Sequence, residues 1–210
     1  MTEPQQMTQS FSTERFKAFV DAVVAIAMTL LILPLMDSVS DAASDKLSTA
    51  DFLGEHSGQL TSFVLSFVLI ANSWIGHHRQ YNDVEVITRP LLWINVAWMA
   101  TIVWLPVPTA MIGQMDSDPL QAVLYIGTLI LTQFTTFAAR IYLLRHPTYT
   151  RADPQRIRMG AMADIASAIL FGIALIVVIV FGSVGYFALF LLALTGTLAR
   201  ALNKLFRTRG

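Results

Sequence analysis

Apolar residues run in six blocks along the chain, at 16–36, 58–76, 90–113, 119–144, 161–181 and 184–202. A helix rises about 1.5 Å per residue, so each block can cross, or nearly cross, a hydrocarbon core of about 30 Å. Buried helices of a soluble bundle would instead carry polar outer faces at period 3.6. The first and fifth blocks are apolar nearly all round, apart from Asp21 and Asp164 near their starts. The pattern predicts an all-α integral membrane protein. It is expected to be a single domain over 1–210 with six transmembrane helices, multi-pass in the cell membrane and solvated by the lipid bilayer.

Charge orients this expectation. The stretch between the first two blocks holds Asp37, Asp41, Asp45, Asp51 and Glu55 against Lys46 alone. The loop between blocks three and four holds Asp116 and Asp118 and no base. The other Lys and Arg residues gather before the first block, around loops two–three and four–five, and at the C-terminal end, most densely at Arg140, Arg145, Arg151, Arg156 and Arg158. By the positive-inside rule both termini are cytoplasmic, which suits an even number of crossings. Residues 1–14 contain two glutamates and no base, and the block that follows is about twice a signal-peptide core, so it is expected to stay as a mature helix.

Composition then removes function classes. Charged residues are 13% of 210, about half the usual globular share, and the formal net charge is zero, so no basic field attracts nucleic acid. Without cysteine there is no thiolate metal site or cysteine nucleophile, and four histidines with no dense carboxylate cluster leave little for an enzyme's catalytic centre. His77 and His78 are adjacent, so on a helix they point about 100° apart and do not chelate one ion. No metal and no cofactor is expected. Ser183, Val184, Gly185 and Tyr186 look like a potassium-channel selectivity loop, but Phe187 replaces the closing glycine and no pore helix precedes them. They read as the turn between blocks five and six.

Polar residues at membrane depth are the candidates for chemistry. A carboxylate at the bilayer centre costs about 2.5–3.5 kcal/mol on insertion scales, so Asp21 needs a partner. Arg15 and Lys17 lie nearby in sequence. Trp74, His77, His78, Trp93 and Asn95 lie at the same cytoplasmic level if blocks two and three run antiparallel. They form either a network holding the first helix or an interfacial aromatic belt. Asp164, the other embedded acid, is expected to pair with Arg156 or Arg158. With Ile26 as zero and about 100° per residue, Leu30, Leu33 and Asp37 fall within about 40° of it, Thr29 near −60°, and Asp21 near 220° on the opposite side. This stripe alone does not tell pore from lipid. Asp37 is either part of an outer ring of charge or a solvated loop acid, and Pro34 ends or kinks the helix before it.

The run Arg15-Phe16-Lys17-Ala18-Phe19-Val20-Asp21, continuing through Thr29 and Leu30 to Pro34, resembles the transmembrane protein 175 family, whose signature is R-x-x-x-F-S-D at the start of a first helix. The resemblance continues at Trp74-Ile75-Gly76-His77, Leu91-Leu92-Trp93-Ile94-Asn95 and Leu105-Pro106, covering roughly the first half of the chain. Val20 replaces the family's serine, so Asp21 leans more on Arg15, His77 or Asn95. The resemblance implies a potassium-selective cation channel, with protons passed by some members. It implies a homotetramer of six-helix chains whose pore is lined by four copies of the first helix. On that pattern Ile26 is the narrowest hydrophobic ring, Leu30 and Leu33 are rings outward of it, Thr29 bears on ion selection, and Arg15, Phe19, Asp21, His77 and Asn95 form the structural network. The alternative is a secondary cation or proton transporter. It would show broken helices and repeats around a midplane site, neither of which is visible in the sequence.

Overall fold

The computed structural model describes residues 13–116 and 118–181. The sixth apolar block, at 184–202, and the turn at 183–186 lie outside them. Among the described residues the chain is helical, with no strand beyond one isolated bridge between Val84 and Thr150. The elements are α1 (Thr13–Leu30), α2 (Leu33–Ser44), α3 (Thr49–Glu55), α4 (Ser57–Tyr81), α5 (Arg89–Trp104), α6 (Pro106–Gln114), α7 (Pro119–Arg145) and α8 (Pro154–Phe181). Among the described residues five spans are long and apolar enough to cross a membrane: Thr13–Ser44, Ser57–Tyr81, Arg89–Gln114, Pro119–Arg145 and Pro154–Phe181.

Two spans are interrupted, the first at the proline expected to end or kink it and the second at a break the sequence reading did not expect, and prolines account for both. Pro34 has no N–H to return to Leu30, so the first helix closes through the tighter Ile32 N–H to Thr29 O bond at 3.3 Å. The helix resumes with Pro34 in the first turn of α2 and Met36 N–H donating to Ile32 O at 3.1 Å. Pro106 does the same to α5. Leu105 N–H reaches Ile102 O at 3.3 Å, and the Thr109 hydroxyl donates to the Leu105 carbonyl at 2.7 Å. Neither break shifts the helical face. Val24, Ala27, Leu31, Leu35, Ser38 and Ala42 are all buried at spacings of three and four, straight through the Pro34 interruption.

Aspartate–proline pairs start the two long C-terminal helices. Asp118 accepts from Leu120 N–H at 2.9 Å ahead of Pro119, and Asp153 accepts from Gln155 N–H at 2.9 Å ahead of Pro154. The second cap begins α8 seven residues before its apolar block.

α7 packs along α8 and α5, α4 lies on α6, and α1 rests against α4 and α5. Lipid is as apolar as leucine, so shape and interhelical hydrogen bonds hold such a bundle. The Ser66 and Thr109 hydroxyls share a 2.8 Å bond, Ser66 shares another of 2.8 Å with the Tyr125 hydroxyl, and the Thr132 and Thr101 hydroxyls lie 2.8 Å apart. Each such bond contributes about 0.6 kcal/mol. Gly113 lets α6 approach α4. A Cβ there would lie 2.7 Å from Ser62 Oγ and 3.0 Å from Gln59 Cα.

At one end the α4–α5 and α7–α8 loops are knitted together. Glu85 N–H donates to Tyr149 O and Arg151 N–H to Asp83 O, both at 2.9 Å. Arg156 pairs with Asp83 at 3.1 Å, and Arg151 pairs with Glu85. The start of α1 is tied to the same loops, with the Thr13 hydroxyl donating to Glu85 O at 2.8 Å and Lys17 Nζ to Asn82 O at 3.1 Å.

Candidate functional site

α1 has two unlike faces. Val20, Val24 and Ala27 are buried in the bundle core, whereas Ile26 is 59% exposed, Leu33 at the start of α2 52%, and Leu30 37%. Thr29 and Asp37 are exposed on the same side. The stripe expected from helical angles is thus one continuous outward face of the single chain, and it carries Asp37 beyond the break. Asp37 lies within α2 rather than in a loop, so the helix direction survives Pro34. Thr29 Oγ donates to Ile26 O at 2.7 Å, so its proton is engaged by the backbone and its lone pairs remain outward.

Leu30 and Leu33 also border an open apolar groove of about 420 Å³, whose far wall is Pro106, Val107, Ala110 and Met111 of α6. The two proline interruptions therefore sit side by side.

The opposite face of α1 is held by an aromatic and polar network. Asp21 accepts a 2.7 Å hydrogen bond from Trp74 Nε1, which gives the embedded carboxylate the partner it requires. His77 is buried, stacked on Tyr81 at 4.3 Å and on Trp98 at 4.1 Å between ring centroids. The Asn95 amide donates to His77 Nε2 at 3.0 Å. Phe16 meets Tyr81 at 5.8 Å. Of the partners expected for Asp21, His77 and Asn95 bond to each other instead, and Trp74 takes the carboxylate.

Phe19 departs from the network expectation. It is 60% exposed, because it lies seven residues, about two turns, before Ile26 and so shares the outward face. Phe16 is the phenylalanine of this stretch that is buried against Tyr81. Arg15 is exposed at the start of α1, and Val20 is buried among apolar neighbours where the family pattern has serine.

A second polar site was only half visible from sequence. Asp164 of α8 does pair with an arginine, but with Arg140 of α7, whose Nε donates at 2.8 Å, rather than with Arg156 or Arg158. Gly160, one turn before Asp164, makes the passage. A Cβ there would run into the Arg140 guanidinium. The signal was available in the hairpin connectivity, which makes α7 the neighbour of α8, and in a glycine four residues before the acid.

Comparison with known proteins follows this geometry. The family model described as "Endosomal/lysosomal potassium channel TMEM175" matches residues 15–106, which include both faces of α1, the Trp74–His77 stretch and Asn95. A protein named a potassium channel from Streptomyces collinus is 32% identical over 100 residues, covering 48% of this chain and 47% of its own length. The protein named endosomal/lysosomal proton channel TMEM175 from Bos taurus is 31% identical over 123 residues, covering 55% of this chain and 26% of its own length. The chain thus spans about half of the first relative and about a quarter of the second. The crystal structure of a lysosomal potassium-selective channel TMEM175 homolog from Chamaesiphon minutus superposes with a TM-score of 0.64 at 23% identity, over 89% of this chain and 96% of that one. The fold is therefore that of the TMEM175 homologue, and residues 15–106 match the TMEM175 family model.

Proposed function

We propose that this chain forms a potassium-selective cation channel in the cell membrane, a homotetramer of six-helix chains with both termini cytoplasmic and the first helix of each lining the pore. One observation carries the reading. The segment matched by the family model presents a continuous outward face, Ile26, Leu30 and Leu33, while Phe16, Val20, Val24 and Ala27 of α1 are buried in the bundle. Four such faces meeting on an axis make a hydrophobic constriction at Ile26, with Thr29, Leu30 and Leu33 outward of it and Phe19 on the inner approach. A ring of isoleucines offers no oxygen to replace an ion's hydration shell, so it closes by dewetting. Arg15, Asp21, His77 and Asn95 belong to the network that fixes the helix behind the lining. Potassium is the permeant species, and the relatives named as potassium channels support that choice.

A transporter would share only the interrupted helices. Here the interruptions are apolar, at Leu31–Ile32 and Leu105, and a hydroxyl caps the Leu105 carbonyl, so they offer no ion a coordination shell.

The outer end supplies the test of the lining. Four copies of Asp37 would ring the mouth and concentrate cations. Asp37→Asn is expected to lower inward conductance by about twofold or more near 0.01 M salt, where the Debye length is about 30 Å, with the deficit gone near 1 M. The check is single-channel conductance at both salts on assemblies whose mass corresponds to four chains. An unchanged low-salt conductance would place Asp37 away from the ion path.

A further inference from the structure

Where the two loops are knitted together, Arg79 and Gln80 near the end of α4, Arg140 of α7, Thr150, and Asp83 with Arg156 enclose a small cavity of about 20 Å³. Gln80 is 8% exposed. Its Nε2 donates to Thr136 O at 3.3 Å, and its buried Oε1 has no hydrogen-bond partner among the described residues. Exchanging the amide ends would set two carbonyl oxygens against each other, so the acceptor is the end left unsatisfied. A buried acceptor without a donor costs about 1–3 kcal/mol, so something from outside the chain is expected to satisfy it.

The surrounding groups say what that is. Arg140 and Arg156 bond to Asp164 and Asp83, while Arg79 is exposed and makes no hydrogen bond or ion pair among the described residues. Three guanidinium groups against two carboxylates leave one positive charge at the mouth. Guanidinium forks match phosphate oxygens. A cavity of about 20 Å³ admits one water and no larger group.

We propose that this pocket binds an anionic phosphate group at its mouth, held by Arg79, Arg140 and Arg156 over a single water at its floor. The water gives one hydrogen to Gln80 Oε1 and the other to the phosphate. The pocket lies at the end of three membrane-spanning helices, where lipid headgroups sit and where basic pockets take anionic headgroups. Occupation fastens α4, α7 and α8 to the loops that hold the start of α1. The site stands whether or not the chain conducts potassium.

The test is the melting temperature of the purified full-length protein in detergent at constant ionic strength. The additions are phosphatidylglycerol, phosphatidylcholine or inorganic phosphate. Phosphatidylglycerol is expected to raise the melting point where phosphatidylcholine does not. Arg79→Gln is expected to weaken that binding about tenfold, whereas Arg158→Gln, exposed near the start of α8 but outside the pocket, leaves it unchanged. A matching rise with inorganic phosphate identifies free phosphate as a second source of the same chemistry. A rise with phosphatidylglycerol alone identifies the headgroup. No rise with either anion, or equal weakening in both variants, overturns the site in favour of diffuse surface charge.

Discussion

Replacing Ile26 with asparagine is expected to raise potassium flux through reconstituted protein by about tenfold, equivalent to removing about 1.4 kcal/mol of barrier. Ile26 is more exposed than Leu30 and Leu33, which share its stripe, and it sits where the helix is still continuous, before the Leu31–Ile32 break. In the proposed tetramer four isoleucines at the narrowest point would exclude water, and an ion there would lose hydration with nothing in return. Asparagine is similar in size and brings an oxygen and two N–H donors, so it wets the ring without widening it. Because Ile26 faces away from the core, the substitution should leave the fold intact. Equal flux from parent and mutant, both as tetramers, would remove Ile26 from the gate.

The largest loss of stability is expected at Asp164. The Arg140 and Asp164 side chains are 16% and 9% exposed, and their 2.8 Å bond joins α7 to α8. Truncating Asp164 to alanine leaves a guanidinium without its counter-charge, and breaking a buried pair in this way costs about 3–5 kcal/mol. For a chain of this size that lowers the melting temperature on the order of 10 °C. Asp164→Asn keeps an acceptor oxygen opposite Arg140 Nε and should recover part of the loss. Thermal unfolding of the three proteins in one detergent decides it. If Asp164→Ala melts with the parent, the pair does not hold the two helices together.

Hydropathy located the described spans, because burial in lipid asks for the same apolar runs whatever the packing. Apolar content says nothing about backbone donors, so the break at Pro106 was missed, and the one at Pro34 came from the proline itself. Pro34 and Pro106 were the local signals, and each break falls just ahead of its proline. It also began α8 late, because Gln155, Arg156 and Arg158 make the first turns polar even though Asp153 and Pro154 already cap a helix there.

The angular arithmetic on α1 put Ile26, Leu30, Leu33 and Asp37 on one face, and the exposure pattern agrees. The same arithmetic puts Phe19 two turns before Ile26 on that face, which the motif-based placement of Phe19 in the network overlooked. Partner choice was least legible. The level of Asp21 selected a group of five side chains, but the rotation of α4 about its axis decides that Trp74 rather than His77 reaches the carboxylate. Likewise the packing of α7 on α8 gives Asp164 to Arg140.

The most direct measurement is paired potassium and sodium flux into liposomes holding only the purified protein, with protein-free liposomes as the baseline. A potassium-selective pore lined by α1 predicts uptake of potassium well above that of sodium, driven by either ion's own gradient and needing no coupled ion. Equal passage of the two ions would contradict selectivity. Flux that stops unless a second ion runs down its gradient, or no flux above the baseline, would contradict the channel itself.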